Sequence, residues 1–133
     1  MDRSTELRRI ACVDDEEDIL AITRIALESI GGFEVTVYHS ARDALGALPA
    51  WRPDLIILDV MMPDMNGPQT LEELRRIPEL ARTPIVFMTA RIQGPEIEHY
   101  RALGAAGVIS KPFDPMALSD EIRRIWSMSH EPR

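Results

Sequence analysis

The stretch Leu55 to Gly67, L-I-I-L-D-V-M-M-P-D-M-N-G, decides how this chain folds. Leu55 to Leu58 are four apolar residues in a row, the length of a strand buried on both faces, and Pro63 to Gly67 supply turn chemistry directly after it. Asp59 stands where that strand ends. A carboxylate beside a buried apolar run is costly unless cations or hydrogen-bond donors meet it, so other parts of the chain must supply groups that keep Asp59 charged. Taken alone, Asp59 reads first as a residue that closes the strand and starts the turn.

Working outward toward the N-terminus, Ile10 to Val13 form an apolar run that stops at Asp14 and Asp15. Glu16 to Ser29 then carry Ile19, Leu20, Ile22, Ile25 and Ala26 at helical spacing, and Gly31 and Gly32 end the helix. Phe33 to Tyr38 alternate as a second strand. Ser40, with Asp43 three residues on, reads as the N-cap of a second helix reaching Leu48, and Pro53 precedes the central run. Toward the C-terminus, Pro68 suits a first helical position, and Leu71, Leu74 and Ile77 form the inward stripe of a third helix. Ile85 to Met88 make a fourth strand ending at Thr89. A helix from about Pro95 to Leu103 closes at Gly104, Val108 and Ile109 make a brief fifth strand before Ser110 and Lys111, and a last helix holds Leu118, Ile122, Ile125 and Trp126. All ten prolines are expected in loops or first turns.

Strands alternating with helices over short loops predict a doubly wound α/β fold: a five-stranded parallel sheet with five helices covering both faces, since parallel pairing requires crossovers. The chain, at 133 residues, suits one domain spanning 1–133 with its core over about 7–128. Ligands of such sheets gather beyond the C-terminal strand ends. Asp14 and Asp15 end the first strand, Asp59 the third, Thr89 the fourth and Lys111 the fifth, so three carboxylates, a hydroxyl and an ammonium are expected at one edge.

Composition narrows the function. A formal charge of −7 with no basic run disfavours direct nucleic-acid binding and favours a protein partner or a cation. The one cysteine, Cys12, lies in an apolar run and reads as a reduced buried thiol; with no apolar leader and no run near the ~20 apolar residues of a membrane span, a cytoplasmic protein without membrane insertion is expected. His39, His99 and His130 are scattered without zinc-ligand spacing. Carboxylates crowded together raise one another's pKa unless a hard cation joins them, and Mg2+ suits oxygen ligands with positions left for water and a phosphate oxygen. An Asp beside such a cation and a lysine can act as a nucleophile toward phosphorus, giving an aspartyl phosphate with Thr89 donating to it.

These residues closely resemble the receiver domains of two-component response regulators. The resemblance runs from about Leu7 to Met128 and rests on V-D-D-E at Val13 to Glu16, L-D-V-M-M-P-D-M-N-G at Leu58 to Gly67, M-T-A at Met88 to Ala90 and K-P-F at Lys111 to Phe113. It implies a flavodoxin-like strand order 2-1-3-4-5. It also implies that Asp59 accepts a phosphoryl group from a sensor histidine kinase or histidine phosphotransfer protein, in a reaction the receiver promotes without being an enzyme in its own right. Mg2+ would be bound by Asp15 and Asp59, by the Met61 carbonyl and, through water, by Asp14. Thr89 and Lys111 would bind the phosphoryl oxygens, the Lys111–Pro112 bond would be cis, and a downstream protein would read the changed face. The family commonly has Tyr or Phe where this chain has Val108, so Val108 changes the switch that accompanies Thr89. Met61 and Arg91 occupy the two variable positions beside the phosphoryl site, expected to tune its lifetime.

A haloacid-dehalogenase-like phosphatase needs a second acid two residues after the nucleophile, where this chain has Met61. A flavin carrier of similar fold needs a phosphate cradle where this chain has D-D-E-E-D. A receiver-shaped interaction module without phosphorylation is disfavoured by intact Asp59, Thr89 and Lys111. The chain ends soon after the last helix, so a free-standing receiver is expected.

Overall fold

Leu55–Asp59 form the central strand, and every residue in it is buried. The computed structural model describes residues 6–90 and 93–129. Along the chain run β1 (Arg9–Val13), α1 (Glu17–Ile25) continued by a π-helical turn (Ala26–Ile30), β2 (Glu34–Tyr38), α2 (Ala41–Trp51) and β3 (Leu55–Asp59). There follow α3 (Gly67–Arg75), a 3-10 turn (Pro78–Leu80), β4 (Ile85–Thr89), α4 (Gly94–Ala102), β5 (Gly107–Ser110) and α5 (Leu118–Ser129). The strands pair in parallel in the order β2-β1-β3-β4-β5. This is the doubly wound α/β sheet the alternation predicts.

Strand alternation divides the core between two faces. Ile10 and Cys12 of β1 join Leu20 and Leu27 of the first helical segment and Leu118, Ile122 and Ile125 of α5 on one side. Ala11 and Val13 join Leu48 of α2 and Leu71 and Leu74 of α3 on the other. A fully buried Leu, Ile or Phe contributes roughly 1.5–3 kcal/mol, so these two layers supply most of what holds the helices to the sheet. Cys12 is buried and unpaired, as expected, and burial pushes its thiol pKa well up, which keeps it an unreactive thiol.

Three local expectations are corrected. Ile22 and Ile25 are exposed, and the inward stripe of the first helix is instead Leu20, Thr23, Ala26 and Leu27, the last two carried on the π turn. Pro49 lies inside α2, which runs on to Trp51 and ends at Arg52 in the left-handed conformation (φ 59°). Its missing N–H falls in the last turns of the helix, where packing by Leu48 outweighs the lost bond. Ile77 lies beyond α3 but still packs against the core. His39 and His99 are exposed; His130 lies outside the described residues. No helix among the described residues is long and apolar enough to cross a membrane.

Candidate functional site

Sheet register brings the acids together. Val13 of β1 lies opposite Leu58 of β3, so the next residues, Asp14 and Asp59, emerge side by side where the strand order reverses. One strand over, Thr89 lies opposite Ser110, and the N–H of Lys111 donates to the Thr89 carbonyl at 2.9 Å. The Lys111–Pro112 bond is cis, as the family pattern implies. Asp14, Asp59 and Thr89 are buried and Asp15 is exposed.

The loop after β3 can close over this edge only because residue 67 is glycine. Its N–H donates to the Val60 carbonyl at 2.8 Å, and a Cβ there would come within 2.9 Å of the Val60 Cα and 3.0 Å of the Asp59 carbonyl oxygen. Asn66 then caps α3 by a reciprocal box with Gln69, the Asn side chain accepting from the Gln69 N–H while the Gln side chain accepts from the Asn66 N–H. This box went unread in the sequence, where Asn66 was taken as turn chemistry.

One ammonium serves the acids. Lys111 Nζ lies 2.8 Å from Asp14 Oδ2, 3.0 Å from Glu16 Oε1 and 3.1 Å from Asp59 Oδ1. Glu16 belongs to the V-D-D-E motif, but sequence reasoning assigned it no contact; its neighbourhood to a residue 95 positions away has no local signature. Asp14 Oδ1 also accepts from the Glu16 N–H at the start of α1.

Burial pushes the Asp59 carboxyl up to about 6, and the charge of Asp14 adds to the rise against the opposing pull of Lys111. Asp14 is likewise raised, chiefly by burial, with Lys111 opposing. Burial by itself would lower Lys111, but its contacts to Asp14, Glu16 and Asp59 win and hold it firmly charged. Three carboxylates on one ammonium, with Asp15 beside two of them, leave the edge short of positive charge. Carboxylate oxygens of Asp14, Asp15 and Asp59 lie within 4.8 Å of one another, an all-oxygen donor set of the kind a hard divalent cation fills.

A cleft of about 480 Å3 opens above the edge, lined by Asp59, Thr89 and Lys111, with Met61 at its lip, 76% exposed. Glu16, Val60, Ala90 and two residues of α4, Glu96 and Tyr100, complete it. The two α4 residues were absent from the sequence reading, although their spacing of four is the signal that they share a helix face. Val108 is partly buried and packs against the core beside β4. Arg91 lies outside the described residues.

Residues 10–123 match the response regulator receiver domain family. The chain is 37% identical to the transcriptional regulatory protein CpxR of Escherichia coli (strain K12) over 93% of its own length and 51% of that protein. It is 39% identical to the phosphate regulon transcriptional regulatory protein PhoB of Rhizobium meliloti over 88% of this chain and 51% of that one. It thus spans about half the length of these curated relatives. Among solved structures, the chemotaxis response regulator CheY4 of Vibrio cholerae superposes with a TM-score of 0.83 at 30% identity, covering 90% of this chain and 99% of that one.

Proposed function

The chain belongs to the response regulator receiver family, and from that premise we propose that Asp59 is its phosphoacceptor. The observation that carries the reading is the convergence of buried Asp59 and Asp14 on the Lys111 ammonium, in a cleft that Thr89 also lines. Asp59 attacks the phosphorus of a phosphohistidine on a sensor histidine kinase or histidine phosphotransfer protein. The P–N bond breaks as the Asp59 oxygen to phosphorus bond forms, and the departing imidazole takes a proton. Lys111 and Thr89 then contact the phosphoryl oxygens.

The acids present fit Mg2+: Asp15 and Asp59 as carboxylate ligands, Met61 through its carbonyl and Asp14 through water. When bound, the ion supplies positive charge against the negative charge that builds on the phosphoryl group. The product adds about −1.5 to −2 charge at the sheet edge. Thr89 turns toward it, and the adjoining surface becomes one that a downstream protein distinguishes. With Val108 rather than an aromatic beside β4, amide shifts on activation are expected to be large near Asp59 and Thr89.

The test is intact-mass measurement after incubation with acetyl phosphate and Mg2+. Wild type should gain one phosphoryl group and Asp59→Asn none, while circular dichroism shows the variant folded. A full-level adduct in Asp59→Asn would refute the assignment. An unmodified wild type would favour a receiver-shaped interaction module.

A further inference from the structure

One wall of the cleft lies outside the chemistry of the sheet edge. Glu96 and Tyr100, one turn apart on α4, line it together with Asp59, Thr89 and Lys111. The helix that carries them is lightly held: no residue of α4 is buried. Tyr100 is its one apolar side chain packed on the core layer that α2 and α3 cover. The Tyr100 ring meets Phe87 edge-on, with centroids 5.1 Å apart and planes at 73°. Phe87 lies beside Val108 in register, and Val108 packs on the same core layer as Tyr100. Residues two apart on a strand share a face, so Thr89 follows Phe87 on the side that Tyr100 covers. A short branched side chain at 108 leaves this face open to a ring arriving from α4.

We propose that Tyr100 is a positioning residue that couples the contents of the cleft to the placement of α4. The inference rests on the phosphoacceptor reading of Asp59. A phosphoryl group brings charge into the cleft that Glu96 faces, which drives the first turn of α4 outward. It also changes the space that Thr89 and Tyr100 share. The ring reseats against Phe87, and α4, with no buried residue to anchor it, follows the ring. The partner-reading surface is thereby set from α4 rather than from a side chain of β5.

The chain has two tyrosines, Tyr38 and Tyr100, so 3-fluorotyrosine labelling gives two fluorine signals that Tyr38→Phe assigns. Beryllofluoride with Mg2+ is added to saturation, read from its own bound fluorine resonance. The Tyr100 signal should shift, and α4 amides should shift in wild type and in Tyr100→Phe, which keeps the ring. In Tyr100→Ala those amides should lose most of their shift at the same saturation, while amides beside Asp59 keep theirs. Reintroducing a ring from β5 in the double variant Tyr100→Ala, Val108→Tyr should restore part of the loss. Bound beryllofluoride with an unmoved Tyr100 signal, or undiminished α4 shifts in Tyr100→Ala, overturns the role of Tyr100 and leaves the Asp59 reading standing. Absence of bound beryllofluoride in wild type overturns that reading and this one with it.

Discussion

Lys111 meets Asp14, Glu16 and Asp59 at 2.8, 3.0 and 3.1 Å, yet Asp59 is still pushed up to about 6 from 3.8. The sign of the consequence follows from proton linkage. Between those two values the folded protein binds more protons at Asp59 than the unfolded chain does, so this group's contribution to stability falls as pH rises through the window and the full penalty is present above about pH 6. In metal-free protein, Asp59→Asn should therefore be more stable than wild type by up to about 3 kcal/mol at pH 7, with the gap closing toward pH 4. Thermal unfolding of both across that range is the check; a gap independent of pH would mean that Asp59 ionises as an ordinary carboxylate. Met61 makes a second residue-scale case. It stands 76% exposed at the lip of the cleft and carries no group that could orient an attacking water. Self-dephosphorylation should be slow, and Met61→Asn should speed it. Decay of the phosphorylated species followed by mass would decide, and a wild type that decays as fast as the variant would remove Met61 from the lifetime.

At the scale of elements, α2 and the first helix depart furthest from what their sequences promise. Pro49 removes a donor from α2 and still leaves the helix intact to Trp51, because Ala41, Ala44 and Leu48 bury a full stripe against the sheet. Pro49→Ala should return the missing backbone bond and raise stability by about 1 kcal/mol in urea unfolding, less than for a mid-helix proline because the site is close to the helix end. An unchanged or lowered midpoint would show that packing of the partly buried proline ring is worth more than the bond. In α4 the apolar residues Ile97 and Tyr100 are few among charged neighbours, and the helix has no buried residue. The inward face of the first helix was misread because its buried stripe includes the polar Thr23, while the apolar Ile22 and Ile25 lie on the solvent side.

For the whole molecule, a charge of −7 and a cluster of acids at one sheet edge should make binding of a cation stabilising. Mg2+ at ten times its Kd should add about 1.4 kcal/mol. Asp15→Ala should lose most of that gain at little cost of its own, since Asp15 is exposed. Thermal midpoints with and without Mg2+ would test both, and a midpoint indifferent to Mg2+ in wild type would mean that these acids hold no cation. The sequence by itself determined the alternation of strands and helices and the residues at which the strands end, since apolar runs, caps, prolines and glycines act over a few positions. Asp14, Asp59, Thr89 and Lys111 were legible for that reason. Only the tertiary structure decided that Lys111 divides itself among three carboxylates, that Glu16 is one of them, that Tyr100 walls the cleft and that Ile22 and Ile25 face water. Each of these depends on the register between strands or the rotation of a helix about its axis, which are settled by packing between segments far apart in the chain.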